Sequence, residues 1–403
     1  MMQIKCNCEV GHHEIPVKAI EVSEHAIEKV ADILKEYKRI FLVTDENCYE
    51  VAGRRVEELL KEAGILSHTL VLPSPALPNA ENIGKVLIEA GRDREVYDIN
   101  EFSYNPDYIL GVGGGSINDT CRIVSYRLGL EYGIVGTAPS MDGYASVVAP
   151  LLNGKAKIVY TCSIARHIII DLNVNAAAPM PLLLSGLGDM MGKYVALLDW
   201  EISHYLNNEY YCETVRDMVM DATNAVVEAG PKLAERDIET IRRVSEGLIL
   251  SGECMAYTGT SRPASGTEHM IGQTWEVFDV QEGKVPNLHG IEVGEGTYAA
   301  IELFRKFYRE SDDEAVKKIV EPYLPLFDKL EELQKVVQLP FTVTDKKRFV
   351  DAVIKGRTFR VRYTLLQYLY DHGKLEEYAD AVYDTVMEKY FYRTFKDQFP
   401  DWE

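Results

Sequence analysis

Apolar and polar positions follow two regimes along this chain. In the first half, short apolar runs alternate with amphipathic stretches: residues 39–44 read as a buried strand, 49–63 as a helix, 67–72 as a strand, 79–90 as a helix and 107–112 as a strand. Residues 133–137 add a strand, Asn153-Gly154 marks a hairpin between 146–152 and 157–161, and 167–171 form a last strand. Such alternation predicts parallel strands joined by right-handed helical crossovers. From about Pro179 helical periodicity takes over and continues to the C-terminus. The expected architecture is an α/β domain over 1–177 and an all-α domain over 178–403, divided where Ala and Pro punctuate residues 175–181.

Length agrees with two domains, since 403 residues exceed the usual size of one compact core. A net charge of -20 and a pI near 5.0 repel nucleic-acid phosphates and anionic membrane surfaces, so neither is an expected partner. Any anionic substrate has to be met by local cations. No stretch reaches the ~20 apolar residues of a membrane span. The N-terminus lacks an apolar signal-peptide core, so a cytoplasmic location is expected. Seven cysteines, an odd number, argue against a disulfide framework. Cys6-Asn7-Cys8, with His12 and His13 close behind, suits metal binding or redox sensing, although a single spacer residue is tight for zinc.

A glycine loop, Gly111-Val-Gly-Gly-Gly-Ser-Ile-Asn-Asp119, stands between a predicted strand and a predicted helix. Gly113, Gly114 and Gly115 allow a pyrophosphate to approach the backbone, and the following helix offers free N–H groups and its positive dipole end. The loop is neither the Rossmann Gly-x-Gly-x-x-Gly, because Ser116 takes the last position, nor a P-loop. A tight turn alone is the plainer reading. Asp45, at the end of an earlier strand, is placed to accept from ribose hydroxyls and so favours NAD over NADP. The loop 136–146 brings hydroxyls and Asp142 to the carboxyl edge of the expected sheet, unless it is simply a Ser/Thr-rich loop capped by Asp.

His269 and His289, with Asp189 upstream, are three residues able to hold one divalent metal and leave a fourth position open, the arrangement of a catalytic centre. Ser265 and Glu268 have capping-box spacing, so a helix is expected to begin at Ser265 with His269, Gln273 and Glu276 along its face. Asp189 is expected to open a helix over 189–206, where a bland role as a helix-start acid also fits.

The segments Gly113-Gly-Gly-Ser-Ile-Asn-Asp, Thr137-Ala-Pro-Ser-Met-Asp-Gly-Tyr-Ala-Ser, Ser185-Gly-Leu-Gly-Asp, Arg262-Pro-Ala-Ser-Gly-Thr-Glu-His and Leu288-His-Gly, in that order, resemble the glycerol-1-phosphate dehydrogenases. These belong to the superfamily of iron-containing alcohol dehydrogenases and dehydroquinate synthases, and the bacterial type associated with arabinose genes is the nearest in pattern. The resemblance implies a dehydroquinate synthase-like fold: a nucleotide-binding α/β domain, a helical metal-binding domain and an active site in the cleft between them. It implies reversible reduction of dihydroxyacetone phosphate by NAD(P)H to sn-glycerol 1-phosphate. The metal, zinc, nickel or iron, is held by Asp189, His269 and His289. The dinucleotide, NAD(H) or NADP(H), lies against Asn47, Gly115, Ser116, Ile117, Asn118 and Asp119, against Thr137, Ala138, Pro139 and Ser140, and near Ser146. The substrate lies against Asp142 and Gln273.

Many relatives carry a second histidine where this chain has Gln273, which can hydrogen-bond a hydroxyl but cannot relay a proton. For the substrate phosphate, Arg262 and Lys193 are the nearest cations in sequence, with Arg360 and Arg362 in the expected C-terminal helices as further candidates. A glycerol or other alcohol dehydrogenase of the same superfamily is the alternative. A metal-dependent hydrolase and a non-catalytic nucleotide-binding regulator are further ones. A homodimer or higher homo-oligomer is expected from the prevalence of twofold assemblies.

Overall fold

The computed structural model describes residues 2–91 and 105–402. They form two compact units, Met1–Ile4, Glu14–Pro139 and Gly143–Ala178 in one, and Lys5–His13, Ser140–Asp142 and Pro179–Glu403 in the other. The division is therefore not a single cut after residue 177. Two short pieces of the N-terminal half belong to the helical unit.

The first unit is built on a six-stranded parallel sheet whose strands are β1 (Ala19–Ser23), β2 (Ile40–Asp45), β3 (Leu66–Leu72), β4 (Tyr108–Gly113), β5 (Glu131–Gly136) and β6 (His167–Asp171). Their order is β1-β6-β5-β4-β2-β3. The inner strands are almost continuously apolar, as strands covered on both faces must be, and bury Ile40 to Val43 and Ile109 to Val112. β1 escaped the pattern because it is a half-buried edge strand with Glu21 and Ser23 interrupting its apolar residues. The hairpin Val148–Asn153 with Ala156–Thr161 turns at Gly154, whose φ of +59° is the left-handed conformation that an Asn-Gly turn supplies. Register places the carboxyl ends of β2, β4 and β5 side by side, with Thr44 opposite Val112 and Gly113 opposite Gly136. Helix α1 (Gly115–Leu128) starts there.

The second unit is helical: α2 (Met180–Met191), α3 (Lys193–Asn207), α4 (Glu213–Ala229), α5 (Ile238–Thr258), α6 (Thr267–Gln281) and α7 (His289–Glu310) lead into further helices toward the C-terminus. Two helix starts differ from expectation. Asp189 does not open a helix; it lies in the last turn of α2, and the chain breaks at Gly192 before α3 begins at Lys193. An acid in a last turn opposes the macrodipole, so the helix-start explanation of Asp189 falls. α6 begins at Thr267 rather than Ser265, and the capping box does not form. Glu268 instead turns inward, its Oε1 accepting from the Gly266 amide at 2.8 Å, while Ser265 Oγ has no partner.

Helices α2, α6 and α7 meet through glycine. A Cβ on Gly188 would lie 2.2 Å from the Gly290 carbonyl oxygen, and one on Gly290 1.8 Å from that of Ser185. A Cβ on Gly296 would lie 2.4 Å from the Glu268 carbonyl oxygen. Every obstacle is main chain, so a side chain can be admitted only by moving a helix. Gly188→Ala is expected to destabilise the protein by about 1–3 kcal/mol or more through overpacking. Gly84→Ala, in the helix Ala80–Glu89 with open space around its Cβ, should instead stabilise by roughly 0.5–1 kcal/mol. Denaturant unfolding of the two variants measures both, and equal effects would remove the close-packing argument.

A buried histidine in the first unit gives a pH signature. Burial first, and the Lys18 charge second, push His167 down to about 4, against the weaker pull of Glu36. Its Nδ1 accepts from the Tyr108 hydroxyl at 2.8 Å. The folded state binds the His167 proton less readily than the unfolded chain, so this contribution is complete above pH ~6.5 and disappears as pH falls toward ~4. It amounts to about 3 kcal/mol at most. Unfolding free energy measured across that window should fall less steeply in His167→Gln than in the wild type.

Candidate metal centre and nucleotide-binding loop

In the helical unit, α2 supplies Asp189, the first turn of α6 supplies His269 and the first residue of α7 is His289. One ligand atom from each lies within 4.8 Å of the others, with His269 Nε2 at 3.6 Å from Asp189 Oδ1 and the two imidazole centroids 5.3 Å apart. Both rings are oriented from behind. His269 Nδ1 is 2.6 Å from Glu268 Oε1, and His289 Nδ1 is 2.6 Å from Glu276 Oε1. A carboxylate behind Nδ1 fixes the ring and turns Nε2 toward the third ligand, the second shell typical of imidazoles that bind metals. Burial, reinforced by the Lys193 charge, holds His269 well below its ordinary pKa, so its imidazole is neutral at pH 7, as a ligand must be.

Lys193 proves to be the internal counter-ion of this site. Its buried ammonium donates to Asp142 Oδ2 at 2.7 Å, Asp189 Oδ1 at 2.6 Å and the Ala264 carbonyl at 3.2 Å, which leaves it no role at the rim. Burial pushes Asp189 up, but Lys193 and then His289 outweigh it and hold the acid below its usual range. Asp142 moves the other way, raised by burial and by the neighbouring Asp189 charge. Its Oδ2 also accepts from Ser251 at 2.9 Å, and its amide donates to Asp189 Oδ2 at 2.9 Å. Asp142 and Asp189 are buried against this ammonium, and Glu268 and Glu276 are buried behind the two imidazoles. That surplus of acid and the two ring nitrogens fit a divalent cation.

Other predicted residues fare differently. Gln273, one turn beyond His269, is buried with Oε1 lacking any partner, an acceptor aimed at something other than protein. Arg262 spends Nε, at 2.7 Å, and Nη2 on Glu209, whose charge balances it, while its buried Nη1 has no hydrogen-bond partner among the described residues; the pairing leaves little for the phosphate expected there from the sequence. Arg360 and Arg362 lie in the loop 357–364, not in helices. Arg360 donates to Ser261 Oγ at 2.9 Å, and Arg362 donates to Ser261 Oγ at 2.7 Å and to the Ser265 carbonyl at 2.5 Å. Among the described residues neither has a carboxylate within ion-pair distance, and both charges act on His269.

In the first unit, Gly113 is required by Ile117, whose side chain would be 2.6 Å from a Cβ. Gly114 is different: its Cβ would meet nothing within 4 Å. α1 starts at Gly115 with no side-chain cap, so the amides of Gly115, Ser116 and Ile117 form an open anion cradle. Asn118 donates to the Gly143 carbonyl at 3.2 Å and buries Oδ1 without a partner, while Asp119 pairs with Arg122 at 2.8 Å. The cradle and the orphaned Asn118 oxygen suit a dinucleotide. Thr137 donates its amide to the Gly113 carbonyl, and Ala138 and Pro139 are buried beside it. Asp45 stands at the end of β2, but its Oδ1 is taken by the Cys48 amide at 2.9 Å and by Ser74. Asn47 is exposed next to it. Ser146 Oγ is used on the Val148 amide at 3.0 Å, and Ser140, in the helical unit, accepts from Ser185 through its carbonyl.

A sequence profile described as iron-containing alcohol dehydrogenase matches residues 21–179. The chain is 30% identical to a glycerol-1-phosphate dehydrogenase [NAD(P)+] of Halalkalibacterium halodurans over 92% of its own length and 96% of the relative's. It is 32% identical to the Methanosarcina acetivorans enzyme of that name over 75% and 80%. The chain belongs to the glycerol-1-phosphate dehydrogenase family, whose cofactors are a nicotinamide dinucleotide and a divalent metal. Its fold is also that of a solved iron-containing alcohol dehydrogenase from Thermococcus thioreducens, with a TM-score of 0.71 at 14% identity, covering 92% of this chain and 99% of that one. No described helix is long and apolar enough to cross a membrane.

From the sequence Glu268 is expected only as half of a helix cap and Glu276 only as a residue on the helix face, although the adjacent Glu-His pair and the spacing of Glu276 two turns beyond His269 are signals of a place behind the imidazoles. Glu276→Gln is expected to keep the fold and weaken metal affinity about 10–100-fold, because the amide no longer polarises His289. Competition with a chromophoric chelator measures this, and unchanged affinity would separate Glu276 from the metal.

Proposed function

We propose that this chain catalyses the reversible NAD(P)H-dependent interconversion of dihydroxyacetone phosphate and sn-glycerol 1-phosphate. The observation that carries the reading is the Asp189, His269 and His289 cluster with a carboxylate behind each imidazole, in a chain whose relatives of that name match it nearly end to end. When bound, the divalent ion supplies a Lewis acid for a carbonyl oxygen and the nicotinamide supplies the hydride.

The chain's own groups do the rest. Amides at the start of α1 hold the pyrophosphate, with Asn118 and the segment 137–139 beside them. Asp45 takes the ribose through its second oxygen, which favours NADH. Asp142 is held by Lys193 and Ser251 and orients a substrate hydroxyl, while Gln273 Oε1 accepts from another. Gln273 cannot pass on a proton, so the proton of the product hydroxyl comes from solvent or the cofactor ribose. Arg360 and Arg362, lacking carboxylate partners, take the phosphate in the place assigned by sequence to Arg262 and Lys193. Seven free cysteines suit the reducing cytoplasm, and a homodimer or higher homo-oligomer is the assembly we propose from the prevalence of symmetric assemblies.

Two measurements test this. His289→Ala should lose metal and turnover together while NADH fluorescence titration remains that of the wild type. Arg362→Ala should raise KM for dihydroxyacetone phosphate about 10–100-fold, the loss of a charge-assisted hydrogen bond, and leave KM for dihydroxyacetone unchanged. A wild-type enzyme that reduces dihydroxyacetone as well as its phosphate overturns the substrate assignment in favour of a polyol dehydrogenase.

A further inference from the structure

A second cluster of ligand atoms lies elsewhere in the helical unit. Cys6, Cys8, His13 and Cys212 bring three sulfurs and one imidazole nitrogen to within 4.8 Å of one another. His13 Nε2 is 3.2 Å from Cys6 Sγ, 3.4 Å from Cys8 Sγ and 3.7 Å from Cys212 Sγ. Cys6 Sγ and Cys8 Sγ are 2.9 Å apart, with all the cysteines free. We propose that these four residues form a closed tetrahedral zinc site, separate from the centre at His269 and His289 and structural rather than catalytic.

Geometry, orientation and charge support it. Zn–S bonds of ~2.3 Å and a Zn–N bond of ~2.0 Å place tetrahedral ligands about 3.5–3.8 Å apart, so the cluster, all within 4.8 Å, is close to the required size; the Cys6–Cys8 pair at 2.9 Å has to open most, by less than about 1 Å, and the His13 contacts at 3.2 and 3.4 Å by a few tenths. The single residue between Cys6 and Cys8, which looked too tight on the linear sequence, is accommodated because the turn closes again at Gly11, whose φ is +69° and whose carbonyl accepts from the Cys6 amide. His13 Nδ1 is 2.8 Å from the Tyr257 carbonyl, which fixes the proton there and leaves Nε2 as a neutral donor facing the sulfurs. Cys212 occupies the N-cap of α4, its sulfur beside the first amides of the helix; burial pushes its thiol up, and a bound cation is what would draw the proton off. Three thiolates around a divalent ion leave one negative charge; the Tyr210 hydroxyl, 3.6 Å from Cys8 Sγ, and the Val10 and Gly11 amides donate to it. His13 and Cys212 are buried and Cys6 and Cys8 half-buried, and four protein ligands leave no coordination position for a substrate. Each cysteine enters by giving up its proton, and no electrons move.

Such a site staples the amino-terminal turn to the start of α4, some 200 residues away, and removes the corresponding loop entropy from the unfolded chain. Elemental analysis of the purified protein should find two divalent ions per chain. Cobalt(II) loaded in place of zinc should give the intense near-ultraviolet thiolate-to-cobalt absorption that the centre at Asp189, His269 and His289, having no sulfur, cannot produce. Cys212→Ser should lose that absorption and one metal equivalent yet keep the ion that His289→Ala loses. If Cys212→Ser does not fold, the cobalt spectrum of the wild type still decides. One ion per chain without thiolate absorption overturns the proposal, as does a Cys6–Cys8 disulfide seen as a mass deficit of two hydrogens. Neither result bears on the dehydrogenase reading, which fails instead if His289→Ala keeps its metal and turnover or if the wild type reduces dihydroxyacetone as well as its phosphate.

Discussion

Backbone-to-backbone contact among three helices is the constraint on which the proposed metal centre depends. Asp189, His269 and His289 come from α2, α6 and α7, and no two of them are close in sequence. Helices separated by ordinary side chains lie ~8–10 Å apart, and short ligands such as Asp189 would then have further to reach toward a shared ion. Gly188 against Gly290 and Gly296 against Glu268 remove that spacing, because there the main chain of one helix touches the main chain of the next. The ligands inherit their positions from rods in contact, so their geometry is only as variable as the rods themselves.

The same approach concentrates charge. Glycines that draw the helices together also draw Asp189, Glu268 and Glu276 inward, and Asp142 joins them through Asp189, Lys193 and Ser251, where desolvation penalises every unbalanced carboxylate. Burial lifts Glu268 to about 8, and Asp142 is raised as well, while Asp189 stays ionised through Lys193. The polar layer behind the imidazoles is thus tied to the ligands in front by electrostatics as well as by packing, and the break at Gly192 that puts Lys193 one turn after Asp189 is part of that balance.

Much of this was legible in the sequence. Parallel strands with flanking helices followed from the periodicity, and the glycine loop fell between strand and helix as its neighbours required. The ordered motifs pointed to the family. What was hidden had physical causes. β1 is an edge strand whose alternation is too short to stand out. The start of α6 misled because Ser265 and Glu268 have the spacing of a cap, yet a buried imidazole competes for the same carboxylate and wins. Arg262 looked available since sequence neighbours could not reveal Glu209, which is 53 positions away. The Cys6, Cys8 and His13 segment was discounted on linear spacing, and its fourth member, Cys212, is brought to it only by the fold.

Lys193 has one more implication. A protein whose active-centre acids are balanced only by a metal ion collapses electrostatically once that ion leaves, and its folding waits on metal supply. Here an ammonium fixed by three oxygen partners already neutralises part of that charge. The polypeptide can therefore mature before it meets its cation, and exchange of one transition metal for another becomes a contest for oxygen and nitrogen lone pairs inside an assembled scaffold, without any passage through the denatured chain.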